Sequence, residues 1–202
     1  MFIVDPQSLA KGKMPGFAGH VSTASTYWTG KERREKAAAV AVIFIPPKDS
    51  SSQYQIIFTK RSLEVGSHKG QIGFPGGLCE MEDRSPEETA LRETFEEIGF
   101  CRSHLTAVGQ LDSQLSVFGS PVIPVIFVSD LNLNISDFRI NEDEVAEIIL
   151  VSWEEFLDNK CKKFGFNLFG FWRESYHYLN EAASIWGLTA KILHSAKMRE
   201  ID

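Results

Sequence analysis

Long apolar runs are missing from this chain of 202 residues. The longest covers residues 37–45, far below the roughly 20 residues of a membrane-spanning helix. The first six residues, Met-Phe-Ile-Val-Asp-Pro, lack the basic and apolar regions of a secretory signal, and the last four, Arg-Glu-Ile-Asp, lack a peroxisomal address. The expectation is a cytoplasmic protein with no membrane partner. Cysteine is scarce too. Cys79, Cys101 and Cys161 are the only three, and none forms a Cys-x-x-Cys pair. That excludes a zinc knuckle and a dithiol redox motif, and the odd count suits reduced thiols. Basic residues are outnumbered, 21 against 27 acidic, for a net charge of -6. A protein that tracks a long polyanion needs a basic face, so nucleic acid is not the expected partner. A small anionic substrate stays open, because a bound metal ion supplies positive charge locally.

What is present is an ordinary folding composition, 43% hydrophobic and 24% charged. No repeat, low-complexity tract or domain boundary interrupts it, so residues 1–202 read as one domain. Residues 1–36 form an N-terminal extension, irregular or partly helical over 1–30 and a charged helix end or linker over 31–36, and 37–193 the core. Residues 37–45 and 54–59 read as a strand pair with a loose loop. Gly66, Gly70, Gly73, Gly76 and Gly77, with Pro75, place a loop over 66–84. Ser85 is an N-cap type, Pro86 suits the first helical position, Glu88 completes a capping-box pattern and Gly99 suits the end, which predicts a helix over 86–98. Strands follow at 106–111, 122–128 and 145–151, with helices at 152–157 and 182–194. Strands and helices alternate irregularly, which implies a mixed sheet with helices packed on it, an α/β (α+β) fold.

The chemistry gathers in the loop and the helix that follows it. Glu93, Glu96 and Glu97 are spaced i, i+3, i+4, so all three carboxylates leave one helix face. Like charges at that spacing repel unless a cation joins them, and Mg²⁺ or Mn²⁺ is the natural partner of hard oxygen ligands. Taken alone, the triplet is more often a solvated acidic face. Gly76 and Gly77 let the loop backbone approach a ligand closely. Arg92 is placed to hold carboxylates by charge-assisted hydrogen bonds.

Residues 92–100, Arg-Glu-Thr-Phe-Glu-Glu-Ile-Gly-Phe, resemble the tail of the Nudix box, Arg-Glu-U-x-Glu-Glu-x-Gly-U with U apolar. Thr94 departs at the first U. Counted from Gly77, the front glutamate of the box falls on Asp83, and eight residues instead of seven then precede Arg92. The front acid is thus one of Glu80, Glu82 and Asp83. The coenzyme A pyrophosphatase branch of the family has a similar inserted residue. Its upstream signature resembles residues 57–62, Ile-Phe-Thr-Lys-Arg-Ser, followed by Gly70 and Phe74-Pro75-Gly76-Gly77, with Gly66 where the branch has arginine. Further likenesses lie at residues 121–125, 144–147 and 185–190.

The resemblance implies a Nudix-type α/β/α sandwich with a mixed β-sheet and a catalytic loop–helix. It also implies a metal-dependent pyrophosphatase cutting coenzyme A or a derivative to 3′,5′-ADP and 4′-phosphopantetheine. Glu93, Glu96 and Glu97 would hold Mg²⁺ or Mn²⁺, with a carbonyl from Gly77. Arg92 would orient the glutamates, and Glu144 would be a further ligand or the base. Arg61, Lys60, His68, Lys69 and Gly76 would grip the substrate. Trp186 reads as a core residue in preference to a base-stacking one, and nothing marks Cys79 as a nucleophile. Two alternatives stay open: a Nudix hydrolase of ADP-ribose, NADH or a dinucleotide, and a Nudix module that senses a nucleotide without cleaving it.

Overall fold

The computed structural model describes residues 37–49, 53–64, 68–158, 161–168, 170–179 and 182–197. The expectations for residues 1–36 and for Gly66 lie outside them. Eleven strands are described among these residues: β1 (Ala38–Ile45), β2 (Gln55–Arg61), β3 (Ile72–Gly73), β4 (Gly76–Leu78), β5 (Leu105–Gln110), β6 (Gln114–Leu115), β7 (Pro121–Ser129), β8 (Val145–Ser152), β9 (Lys162–Leu168), β10 (Phe171–Leu179) and β11 (Ser184–Trp186). The described α-helices are α1 (Pro86–Ile98), α2 (Trp153–Asp158) and α3 (Gly187–Lys197).

Strand β1 is the centre of the larger, mixed sheet. It runs parallel to β7 along one edge, with Ala38 opposite Val122 and Phe44 opposite Val128. Along its other edge it is shared: Ala38–Val40 pair with β4, and Phe44 and Ile45 pair with β2, both antiparallel. A strand covered on both faces reads as a continuous apolar run, which is why residues 37–45 stand out in the sequence. Its alternation sorts side chains between two cores. Ala39, Ala41, Ile43 and Ile45 face the core that receives Ala90, Leu91 and Ile98 of α1. Val42 and Phe44 face the core that holds Trp153, Phe156, Ile192 and Leu193. Helix α1 thus covers one face of the sheet, and α2 and α3 cover the other, giving the α/β/α sandwich.

Helix α1 begins and ends where the local signals place it. Ser85 Oγ accepts from Glu88 N at 3.2 Å, and Gly99 caps the end with a left-handed φ of 67°. The Glu88 carboxylate accepts from Arg84 N at 2.7 Å, one residue short of a reciprocal capping box. Thr94, the polar departure at an apolar position, is buried and donates its hydroxyl to Ala90 O at 2.6 Å. Its polarity is satisfied within the helix, so the position still packs as an apolar one.

Two expectations change. The glycine loop contains the short strands β3 and β4, because its backbone pairs with β2 and β1. The helix expected over 182–194 starts at Gly187, since residues 184–186 pair with β10 as β11. With β9 they make a second, three-stranded antiparallel sheet. No described helix is long and apolar enough to cross a membrane.

Candidate active site

The loop before α1 is pinned from below. Gly76 has φ 150°, and a Cβ there would strike Ala39 O and Val40, so β4 lies flush against β1. A Cβ on Gly77 would run into the Glu93 carboxylate. Gly76 is therefore required by the backbone beneath it, and Gly77 brings the loop backbone against the Glu93 carboxylate of the helix.

Of the three candidates for the front acid, Asp83 is the one that is buried and hydrogen-bonded to Arg92. Arg92 donates to its carboxylate from Nε at 3.2 Å and Nη2 at 3.0 Å, Thr89 from its hydroxyl at 2.8 Å, and Glu80 from its backbone N–H at 2.9 Å. Burial works against the charge of Asp83, yet these hydrogen bonds hold its pKa below the ordinary carboxylate value. Glu80 makes only a 3.8 Å ion pair with Arg92. The guanidinium is fully used. Nη2 also donates to Leu78 O at 2.9 Å, and Nη1 donates to Glu93 at 2.9 Å and Glu96 at 3.1 Å. Burial disfavours the Arg92 charge, but Asp83 and Glu93 hold its pKa above the usual arginine value. Arg92 thus ties loop, front acid and two helix carboxylates together.

Glu97 differs from its neighbours. It is 2% exposed, and its Oε2 has no hydrogen-bond partner among the described residues. Its Oε1 lies 3.8 Å from Arg61 Nη1. Burial pushes its pKa up to about 8; Arg61 and a hydrogen bond from the Gly76 backbone oppose the rise, while Glu93 and Glu144 add to it. Glu93 is likewise raised by burial, against Arg92 and with Glu96 and Glu144. The helix carboxylates and Glu144 therefore feel one another's charge.

Glu144 is brought there by backbone. Asn141 N donates to Glu97 O at 2.9 Å and Arg139 N to Ile98 O at 3.1 Å, so the end of α1 receives the 139–141 segment. Asn141 O then accepts from Glu144 and Val145, and Ser62 N donates to Glu144 O at 2.8 Å. The same turn thus joins the last turn of α1 to the end of β2.

Among the described residues no three carboxylate, imidazole or thiol groups close into a ready metal cage; here Arg92 bridges Glu93 and Glu96 instead. The donor set still suits a hard divalent cation, because it is all oxygen, mutually repulsive, and includes a buried carboxylate oxygen with nothing to bind. Glu93, Glu96, Glu97 and Glu144 are the residues that would hold one.

Next to Glu97 opens a cavity of about 430 Å³, which Arg61 and His68 also line. Arg61 Nε is buried without a partner among the described residues, so the guanidinium has capacity for a ligand. His68, at a left-handed φ of 56°, hydrogen-bonds Gln71 at 2.9 Å. Lys60 points to the opposite side of β2, where it pairs with Glu147 at 3.4 Å, and Lys69 is exposed in the turn. Cys79 has its pKa pushed up to about 11 by burial, so its thiol stays protonated. Trp186, read from the sequence as core, is 49% exposed and lines the cavity. Phe118, which no sequence signal singles out, lines it too; its place on a Gly-containing turn between strands is the one hint.

The model of the NUDIX domain matches residues 35–168. The chain is 31% identical to an uncharacterized Nudix hydrolase NudL of Pectobacterium atrosepticum, over 85% of each chain. It is 32% identical to the uncharacterized NudL of Photorhabdus laumondii, over 81% of this chain and 83% of that one. Among solved structures, the Nudix hydrolase RenU of M. smegmatis superposes with a TM-score of 0.49 at 19% identity, covering 61% of this chain and 74% of that one.

Proposed function

The chain belongs to the Nudix family, and from that premise we propose that it hydrolyses the diphosphate of coenzyme A or a derivative, giving 3′,5′-ADP and 4′-phosphopantetheine. Nudix hydrolases are pyrophosphatases of acid anhydrides that take small nucleotide derivatives and generally use divalent metal ions. The observation that supports the narrower substrate is the pair of stretches 57–62 and 70–77, which resemble the coenzyme A branch. In the fold they lie side by side: Thr59 is opposite Gly73, and Arg61 N donates to Gln71 O at 3.0 Å. Together they wall the cavity that ends at Glu97.

The reaction is displacement at phosphorus by water. The water oxygen forms a bond to one phosphorus, the bridging P–O bond breaks, and the other phosphate leaves with its electrons. A divalent ion held by Glu93, Glu96, Glu97 and Glu144, with Mg²⁺ or Mn²⁺ as the fitting choices and a Gly77 carbonyl nearby, would screen the diphosphate and make the water more acidic. Arg61 holds a phosphate oxygen with its unpartnered Nε–H, and His68 lies on the same wall. The Asp83–Arg92 brace fixes Glu93 against the Gly77 loop. A carboxylate of the set, on α1 or at Glu144, takes the proton of the attacking water.

The test compares catalytic efficiency on coenzyme A, 3′-dephospho-coenzyme A, ADP-ribose and NADH under one metal condition. Coenzyme A should lead. A preference of tenfold or more for ADP-ribose or NADH, about 1.4 kcal/mol in transition-state binding, would overturn the coenzyme A reading and leave the family reading standing.

A further inference from the structure

Two exposed aromatic rings line the cavity beside Arg61 and Glu97, and nothing in the hydrolytic chemistry above uses them. Phe118 is 82% exposed and Trp186 49%. One exposed ring on a protein surface is ordinary. Two from distant parts of the chain, lining one cavity next to the reacting groups, make an apolar site with a defined mouth.

The mounting of each ring is firm. Phe118 sits in the turn between β6 and β7. Ser116 O accepts from Gly119 N at 3.0 Å, Ser116 N donates to Ser120 O at 2.8 Å, and Ser116 Oγ accepts from Ser120 N at 3.1 Å. Gly119 takes a φ of 83°, which closes the turn without strain. Trp186 ends β11, just before Gly187 turns the chain into α3 with φ 68°. Between the rings the wall is apolar, formed by Ile72, Phe74, Val122 and Leu188, with polar groups from Gln71 and Thr189.

We propose that this cavity is a base site, in which Phe118 and Trp186 hold the flat heteroaromatic ring of the substrate's nucleoside half. The proposal rests on the reading of the chain as a hydrolase of nucleoside diphosphate derivatives, and it assigns which half of the substrate enters. A nucleoside base has two apolar π-faces and a polar edge. The cavity offers aromatic and aliphatic side chains for the former, and for the latter the Gln71 amide, whose oxygen is hydrogen-bonded to His68, and the Thr189 hydroxyl, which donates to Ile72 O at 3.4 Å and can still accept. The pantetheine half of the substrate carries amides and a hydroxyl that could also meet those polar groups, but it has no flat ring to lie against Phe118 and Trp186, so the two aromatic side chains decide for the base. Base–aromatic stacking tolerates different bases, so the site selects for a base without reading its identity closely. Arg61 at the same cavity then fixes the attached phosphate toward Glu97.

The test measures direct binding of AMP and ribose 5-phosphate, which differ only in the base, to the full chain with Mg²⁺ present. Neither probe has an anhydride to hydrolyse. The wild type should bind AMP at least tenfold more tightly than ribose 5-phosphate. Phe118→Leu and Trp186→Leu keep apolar bulk but lose the ring, and each should remove most of that gap, while Phe118→Tyr should keep it. Because Phe118 is so exposed, its substitution should leave the melting temperature unchanged, so a lost gap in that variant reads as lost recognition. The proposal is overturned if AMP binds no more tightly than ribose 5-phosphate, if the gap survives both leucine variants, or if those variants weaken 4′-phosphopantetheine instead of AMP. Product formation from coenzyme A is followed separately. A chain with the base gap but no hydrolysis would sink the hydrolase reading alone, and a chain that hydrolyses with no base gap would sink the base site alone.

Discussion

Glu97 is a carboxylate at 2% exposure with one oxygen unpartnered among the described residues. Without a cation such a group favours its neutral form, and the folded state keeps its proton up to about pH 8 where an ordinary glutamate loses it near 4.5. Between those values the folded chain binds more protons than the unfolded one, so the contribution of Glu97 to stability falls as pH rises from about 4.5 to about 8. Glu97→Gln should therefore melt at or above the wild type in a chelator, by a margin that widens across that window. With saturating Mg²⁺ the same substitution should lower turnover by orders of magnitude. Melting curves in chelator at several pH values, together with turnover at saturating metal, check both halves. A variant that melts well below wild type at pH 8, or turns over like it, sinks the assignment. The carboxylate spacing was legible in the sequence because a helix period puts residues 93, 96 and 97 on one face. That Glu97 is the buried member was not, since burial comes from Arg61 and the Gly76 loop, far off in the chain.

At the scale of elements, the loop and α1 act as one piece because Asp83 and Arg92 join them. Asp83→Ala would leave the Arg92 guanidinium and the Thr89 hydroxyl without their main acceptor. Breaking a buried ion pair from one side costs about 3 kcal/mol, so the melting temperature should drop by roughly 6–12 °C. Turnover should fall as well, because Arg92 no longer holds Glu93 in place. Melting and steady-state kinetics on Asp83→Ala and Asp83→Asn measure this; an unchanged melting temperature in both would show that the brace contributes nothing. Helix α1 was legible to its ends because Ser85, Pro86 and Gly99 act locally. The front acid was not, because Glu80, Glu82 and Asp83 are equivalent to a count that contains one inserted residue. Asp83 stands out only in the fold, where Arg92, Thr89 and the Glu80 backbone all donate to it.

At the scale of the whole molecule, the sequence announces strands that are covered on both faces and conceals those that are not. Residues 37–45 and 122–128 read as strands because nearly every side chain in them is apolar. The β9–β10 hairpin went unassigned, although Phe164 and Phe166, and then Trp172, Tyr176 and Tyr178, keep the strand period of two. Charged neighbours such as Lys163 and Glu174, which pair across it at 2.8 Å, dilute the pattern. Trp186 was misplaced for a related reason: hydrophobicity alone cannot separate a ring that fills a core from one that lines a cavity.

The parallel pairing of β1 with β7 has a kinetic consequence. It sets residues 38 and 122 side by side, and the whole glycine loop and α1 lie in the chain between them. Closing that pair requires a long loop to be ordered first, which makes it slow relative to helix formation. The carboxylates of α1 can be in helical register early, yet the 139–144 turn, which follows β7 in the chain, joins the end of α1 only once β7 is in place. On refolding from denaturant, helical circular dichroism should return before hydrolytic activity, and a chain cut between β6 and β7 should be inactive until both pieces are supplied together. Activity that recovers in step with the helical signal would show that the central pair forms early.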